Sequence, residues 1–256
     1  MKKIITLLTL TISFNMNAQM DDNSHPSNNS AGTYSVAMGY GTTASGDFST
    51  AMGYSTTASG EISTAMGRDN IASGYASTAM GYQSRASDFG LVAIGQYNSS
   101  GSSVTNNAIS FSTSNTAFVI GNGTVGARSD AFKVMFNGDA TVSNDLTVSG
   151  DVNISSDARL KSNIVSLGST LPKLLLIDGK SYEMKGKQKI GVLAQEIQEV
   201  FPELVSEDDN EMLAVNYQGL VPVLINALKE QQSEIDRLKK QEKRIERLEK
   251  LVAQLN

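Results

Sequence analysis

The chain has no cysteine, no tryptophan, one histidine and four prolines among its 256 residues. Without cysteine there is no disulfide, no thiol nucleophile, no lipidation thiol and no cysteine-based metal site. The lone His25 lies in the polar segment 21–32, which reads as disordered with a solvated imidazole. Its isolation excludes Ser-His-Asp catalysis and most zinc centres. A bond-cutting reaction in this chain needs another base. Aromatic residues make up only 6% of the chain, so no large conventional core is expected in the first half. A net charge of -5 gives no support to a nucleic-acid or anionic-membrane partner. No metal or cofactor site is expected from the residues present.

Residues 1–18 read as a secretory signal peptide. Lys2 and Lys3 form the charged start, residues 4–14 the apolar stretch, and Ala18 the small residue before the cut. The apolar stretch is too short for a membrane span, and no longer one follows. The expectation is an exported product, extracellular or on a cell surface, without a membrane span.

After a disordered linker at 19–34, residues 35–98 repeat every 14 residues. One unit recurs as Val36-Ala37-Met38-Gly39, Thr50-Ala51-Met52-Gly53, Thr64-Ala65-Met66-Gly67, Thr78-Ala79-Met80-Gly81 and Val92-Ala93-Ile94-Gly95. A second recurs as Ala44-Ser45-Gly46, Ala58-Ser59-Gly60, Ala72-Ser73-Gly74 and Ala86-Ser87-Asp88. A fixed period without insertions means one solenoid coil per repeat. Fourteen residues hold two short strands and two tight turns, with glycine columns supplying positive φ. Alternation then predicts that Met38, Met52, Met66, Met80 and Ile94, backed by the Val36 and Thr50 column, fill the coil. Ala37, Ala51, Ala65, Ala79 and Ala93 are expected on the opposite face, against a neighbouring copy. A coil this thin buries little alone, so side-by-side association of identical chains is expected.

These repeats resemble the heads of trimeric autotransporter adhesins, which are left-handed parallel β-rolls packed in threes. The resemblance covers about residues 31–97. Those adhesins end in a β-barrel anchor that is not expected here, so the resemblance carries the head fold and not the secretion route. It leaves room for an unknown surface or glycan ligand. An ice-binding solenoid is disfavoured, because Tyr40, Tyr54, Arg68, Tyr82 and Gln96 are too mixed for a regular lattice.

From residue 99 the period fades. Residues 116–121 look like a last degenerate coil, 131–139 like a strand and turn, and 145–154 alternate with period two. Residues 99–154 are expected to form a β stalk.

Then comes Ser155-Ser156-Asp157-Ala158-Arg159-Leu160-Lys161-Ser162-Asn163-Ile164. A serine is a weak nucleophile until a base takes its proton, and a lysine serves when desolvation or a nearby cation makes it give up its own. Arg159 is such a cation by position. The spacing alone also fits a plain helix start, with Ser156 or Asp157 as N-cap. A helix is expected over 157–167, a strand ending at Tyr182, and a helix over 191–200 closed by Pro202. The acidic loop 206–212 does not match EF-hand spacing and reads as a solvated turn. A long helix follows over 217–255, coiled-coil from about 224. Leu228, Ile235 and Leu238 form one seam, and Ile245, Leu248, Val252 and Leu255 a second, out of step near Gln241.

Four blocks in order carry a second resemblance: the Ser-Asp-x-Arg-Leu-Lys-x-Asn-Ile run; Tyr182-Glu183-Met184; Ile190-Gly191-Val192-Leu193-Ala194-Gln195-Glu196-Ile197-Gln198-Glu199-Val200-Phe201-Pro202-Glu203-Leu204-Val205; and Val215-Asn216-Tyr217-x-Gly219-Leu220-Val221-Pro222. Residues 155–256 resemble the self-cleaving intramolecular chaperone of phage endosialidase tail spikes. The resemblance implies that this domain trimerises a fibre and then releases itself through a Ser-Lys dyad. The matching residues are Ser156 and Lys161, and the matching bond is Ser155–Ser156. On one regular helix, five positions leave Ser156 and Lys161 roughly 140° apart. Either Ser156 lies in extended chain folded back over Lys161, or the lysine comes from a neighbouring subunit.

The fold expected is therefore a mainly β N-terminal part followed by an α+β domain ending in a long coiled-coil helix. The function expected is a secreted homotrimeric adhesin-like fibre whose C-terminal domain is an assembly chaperone and a single-use serine autopeptidase. The alternative is the same fibre with the domain retained as a clamp. An enzyme acting on external polysaccharide is disfavoured, since the head offers no carboxylate cluster at a defined spacing.

Overall fold

The computed structural model describes residues 28–208 and 211–255. The signal-peptide reading, His25 and most of the 19–34 linker lie outside the described residues. The chain divides into two compact units, one ending at Val152 and the other starting at Asn153.

The first unit is a β-solenoid of about five turns. Each coil contributes a five-residue strand, Val36–Tyr40, Thr50–Tyr54, Thr64–Arg68, Thr78–Tyr82 and Val92–Gln96. A two-residue strand lies on the far side, as at Thr43–Ala44 and Thr57–Ala58. Strands of successive coils pair in parallel and in register, Ala37 with Ala51, Ala51 with Ala65, Ala65 with Ala79.

The period and register are as expected, but the phase is inverted. Ala37, Ala51, Ala65, Ala79 and Ala93 have no exposed surface; with Ala44, Ala58, Ala72 and Ala86 they form the inside of the coil. Met38, Met52, Met66, Met80 and Ile94 sit half-buried on the outer face, in line with Val36, Thr50 and Thr64. The physical reason is width. The two sheets of a 14-residue coil lie close together, and the inward position of each repeated five-residue strand holds only a methyl group. The remaining interior positions are accordingly small and polar, Ser35, Thr42, Ser49, Thr56, Ser63 and Asn70 among them. Asn70 works as an internal staple. Its Nδ2 donates to the carbonyls of Met66 (2.6 Å) and Gly81 (2.8 Å), and its Oδ1 accepts from Ser84 N (2.7 Å).

The turns are built from more than glycine. Gly53 has φ 115°, and a Cβ there would lie 2.0 Å from the Gly67 carbonyl oxygen, so only glycine fits. One turn position, however, carries Tyr34, Phe48, Ile62 and Ala76 in the left-handed region, with φ from 52° to 60°. Such strain costs of order 1–3 kcal/mol per bulky residue. It is held by a bond to the preceding coil: Phe48 N to Thr33 O, Ile62 N to Asp47 O and Ala76 N to Glu61 O, each 2.8 Å.

Residues 116–122 continue the solenoid. Strand Thr116–Asn122 pairs in parallel with Val92–Gln96, Val92 opposite Phe118. Strands Asp130–Met135 and Ala140–Val142 then add antiparallel and complete the large sheet. The intervening excursion is fastened by Asp88, whose buried carboxylate accepts from Thr105 N (2.6 Å) and Thr116 N (2.8 Å). Residues 143–157 form no helix or strand, and 143–169 are exposed throughout.

The second unit is small and α+β. Short helices Leu171–Leu174 and Ala194–Val200 and hairpins Lys180–Met184/Lys187–Gly191 and Val205–Glu207/Leu213–Val215 precede the helix Leu220–Leu255. Ile197, Phe201 and Val223 are its centre, with Leu174, Val192 and Leu220 packed around them. The helix expected over 157–167 is reduced to a single 3-10 turn, Ala158–Leu160. Leu160, Ile164, Val165 and Leu167 are all exposed, and an isolated helix of that length lacks the packing that stabilises helices in proteins.

Candidate self-cleavage site

The site is built on that 3-10 turn. Asp157, in extended geometry at φ -63° and ψ 134°, caps it by accepting from Arg159 N at 2.8 Å. Lys161 closes it, its N–H donating to Ala158 O, and returns to extended backbone. Ser156 therefore precedes the turn and Lys161 ends it. A tight turn between two extended residues reverses the chain enough for their side chains to meet. Lys161 Nζ donates to Ser156 Oγ at 2.7 Å. The two side chains thus meet within one chain, without a neighbouring subunit. Both residues are exposed.

Arg159 stands differently from its sequence reading. Its guanidinium is engaged by Asp157, with Nη2 2.6 Å from Oδ2 and Nε 3.1 Å from both carboxylate oxygens. The guanidinium hydrogen bond holds the Asp157 carboxyl below its ordinary range and pushes the Arg159 pKa up. The cation is neutralised by its own neighbour and offers Lys161 little field.

Sequence reasoning missed the residue that anchors the far end of this segment. Glu230, on the long helix, accepts from Ser169 Oγ (2.7 Å), Thr170 N (2.6 Å) and Leu171 N (3.4 Å). Thr170, buried, also donates its hydroxyl to Val223 O at 3.0 Å. These bonds, the Ser169 hydroxyl first, keep the Glu230 carboxyl below its usual range. No local signal announces a contact between residues 60 apart. Among the described residues there is no cluster of His, Cys, Asp and Glu that could hold a metal ion.

Comparison with known families falls on the same two places. Residues 156–206 match the peptidase family described as the chaperone of endosialidase. Residues 30–88 match the YadA head domain repeat in overlapping windows, 30–56, 44–70, 58–84 and 72–88. One segment of the chain is therefore similar to YadA head repeats and another to the endosialidase chaperone. No curated protein matches it. The windows of the head match advance by one coil each, so the family repeat and the structural repeat coincide. The chaperone match opens at Ser156, on the C-terminal side of the Ser155–Ser156 bond. It runs as far as the strand Val205–Glu207, and the long helix lies beyond it. The solenoid and its YadA-type repeats fit a trimeric adhesin-like fibre, and the second unit fits a chaperone. Among the described residues no helix is long and apolar enough to cross a membrane.

Proposed function

We propose that the chain is exported by residues 1–18, assembles as a homotrimeric adhesin-like fibre, and is trimmed by its own C-terminal unit. That unit, 155–256, acts first as the trimerisation chaperone and then cuts the Ser155–Ser156 bond. The observation that carries the reading is the 2.7 Å bond from Lys161 Nζ to Ser156 Oγ at the edge of the endosialidase-chaperone match. Neutral Lys161 takes the Ser156 hydroxyl proton, and Oγ attacks the Ser155 carbonyl carbon. The C–N bond breaks, the Ser156 amine receives the proton from Lys161, and an ester joins the Ser155 carbonyl to Ser156 Oγ. Water hydrolyses the ester, leaving a carboxylate at Ser155 and a free hydroxyl at Ser156.

Assembly supports the timing. The dyad lies in the exposed stretch 143–169, which carries Leu146, Val148, Val152, Ile154, Leu160, Ile164 and Val165 without partners in the single chain. Packing of three such stretches against one another, below the expected stalk, strips water from the dyad and so ties the cut to a finished fibre. The outer face of the solenoid, with Met38, Met52, Met66 and Met80 half-buried, supplies the matching surface in the head. Once cut, the fibre has lost the unit that aligned its chains, and its stability becomes kinetic. Mass spectrometry of the purified protein tests the reading: a C-terminal fragment beginning at Ser156 is expected, together with a trimer by light scattering. The exposure of the dyad and the Asp157–Arg159 pairing favour a second reading, in which the C-terminal unit stays attached as a clamp. A single full-length band on denaturing electrophoresis would select it.

A further inference from the structure

The long-strand sheet of the solenoid has two side edges along the coil axis, and they differ. The edge before the strands carries Tyr34 stacked on Phe48, ring centroids 5.4 Å apart, then Ile62. The edge after them carries Tyr40 stacked on Tyr54 at 5.1 Å, then Arg68 and Tyr82. Tyr34, Phe48 and Ile62 hold left-handed turn positions that disfavour bulky side chains, yet remain 53%, 55% and 46% exposed. Strained, exposed and apolar together is the profile of a surface covered in the assembled state.

Three copies related by a closed threefold axis touch heterologously: one patch of each copy meets a different patch of the next. With the methionine face turned to the axis, the patches that meet are the two edges of the same sheet. Equal coils then lie at equal heights. The charged side chains of residues 28–98 are Asp47, Glu61, Arg68, Asp69, Arg85 and Asp88. Arg68 is the cation on the later edge, and Glu61 is an exposed carboxylate on the earlier edge of the same coil. Inside one chain they stand at opposite ends of the strand Thr64–Arg68, about 17 Å apart, and cannot meet. The guanidinium is held ready between the Tyr54 and Tyr82 rings, 5.4 Å from each centroid. Asp69 touches its Nε side at 3.4 Å, and 63% of the side chain remains exposed.

We propose that Arg68 of each copy pairs with Glu61 of the next, and that the ring-lined edges around this pair are the corners of the trimeric head. The inference rests on the trimeric reading above. Because the chain has no cysteine, the doubly substituted chain Glu61→Cys/Arg68→Cys can be treated with a short bis-maleimide and run on denaturing gels. A covalent closed trimer is expected from the double variant and monomer from each single variant. The pairing is overturned if the double variant stays monomeric while light scattering shows a trimer, or if either single variant gives covalent dimers. Light scattering that shows a monomeric unmodified chain overturns the trimeric reading and this inference together. Charge exchange gives a second measurement: Glu61→Arg or Arg68→Glu alone should lower the melting midpoint of the head by several degrees, and the two together should restore it. A double reversal that melts as low as the single ones also overturns the pairing.

Discussion

The solenoid and the stretch that follows it solve the same problem in opposite ways. Between Val36 and Gln96 successive coils pair strand to strand and bury their alanines inside themselves. Between residues 143 and 169 the chain also carries many apolar side chains, and all of it is exposed. Local repetition lets one chain complete its interior, because each coil is the template for its neighbour. The stretch around Ser156 and Lys161 has no repeat to lean on, and in the proposed fibre its burial comes from other copies. The same contrast separates the two proposed roles: the Ser156–Lys161 contact on which self-cleavage is proposed lies in the open stretch, outside the solenoid.

The sharpest way to break the comparison is at the dyad itself. Ser156→Ala removes the attacking oxygen, so the cut should vanish completely while the trimer persists, as read by mass spectrometry and light scattering. Lys161→Arg should also block it, since a guanidinium stays protonated. A fragment still starting at residue 156 in Ser156→Ala would show that another group attacks.

In the solenoid the largest effect should come from its inside. Ala65→Glu places a carboxylate where the wild-type residue has no exposed surface, at a cost of roughly 4 kcal/mol. Thr57→Glu, on the outward side of the short-strand sheet, should change the melting midpoint little. Equal losses from both would mean that the alanine column is not the core.

Shortening the long helix after Lys240 removes the Ile245, Leu248 and Val252 seam, whose side chains are exposed in the single chain. Trimer should fall and cleavage should fall with it. A truncated monomer that cuts at full rate would separate the dyad from assembly.

The smallest effect concerns Glu230. Its folded pKa lies below the ordinary value of 4.5 because Ser169 and the Thr170 and Leu171 amides favour the carboxylate. A depressed acid stabilises the fold above its unfolded pKa and loses that contribution as pH falls through the folded one. Glu230→Gln should therefore lower the melting midpoint of the C-terminal unit slightly at pH 7 and flatten its decline below about pH 4.5. An unchanged acid limb would assign that limb to other carboxylates.

Much of this was legible in the residues because it is periodic or local. The spacing of Ala37, Ala51 and Ala65 fixed coil length and register, and the long seam announced the terminal helix. Alternation, however, has two phases, and the choice of methionine for the inside followed hydrophobicity alone. The separation of the sheets decided for alanine. The helix expected over 157–167 rested on pattern without a packing partner. The dyad could be named from its spacing in a resembling family, yet whether Ser156 could reach Lys161 was a matter of three backbone conformations around Ala158–Leu160.

By itself the sequence determined the solenoid period, the order of the units and the absence of any histidine near Ser156. Those follow from composition and spacing, which need no folding to be read. Only the tertiary structure decided which face of each coil is inside, that Arg159 is paired with Asp157, and that Glu230 grips Ser169 to Leu171. Each of these depends on distances between residues set by packing: the gap between two sheets, the reversal of a 3-10 turn, and a helix docked against a segment 60 residues earlier.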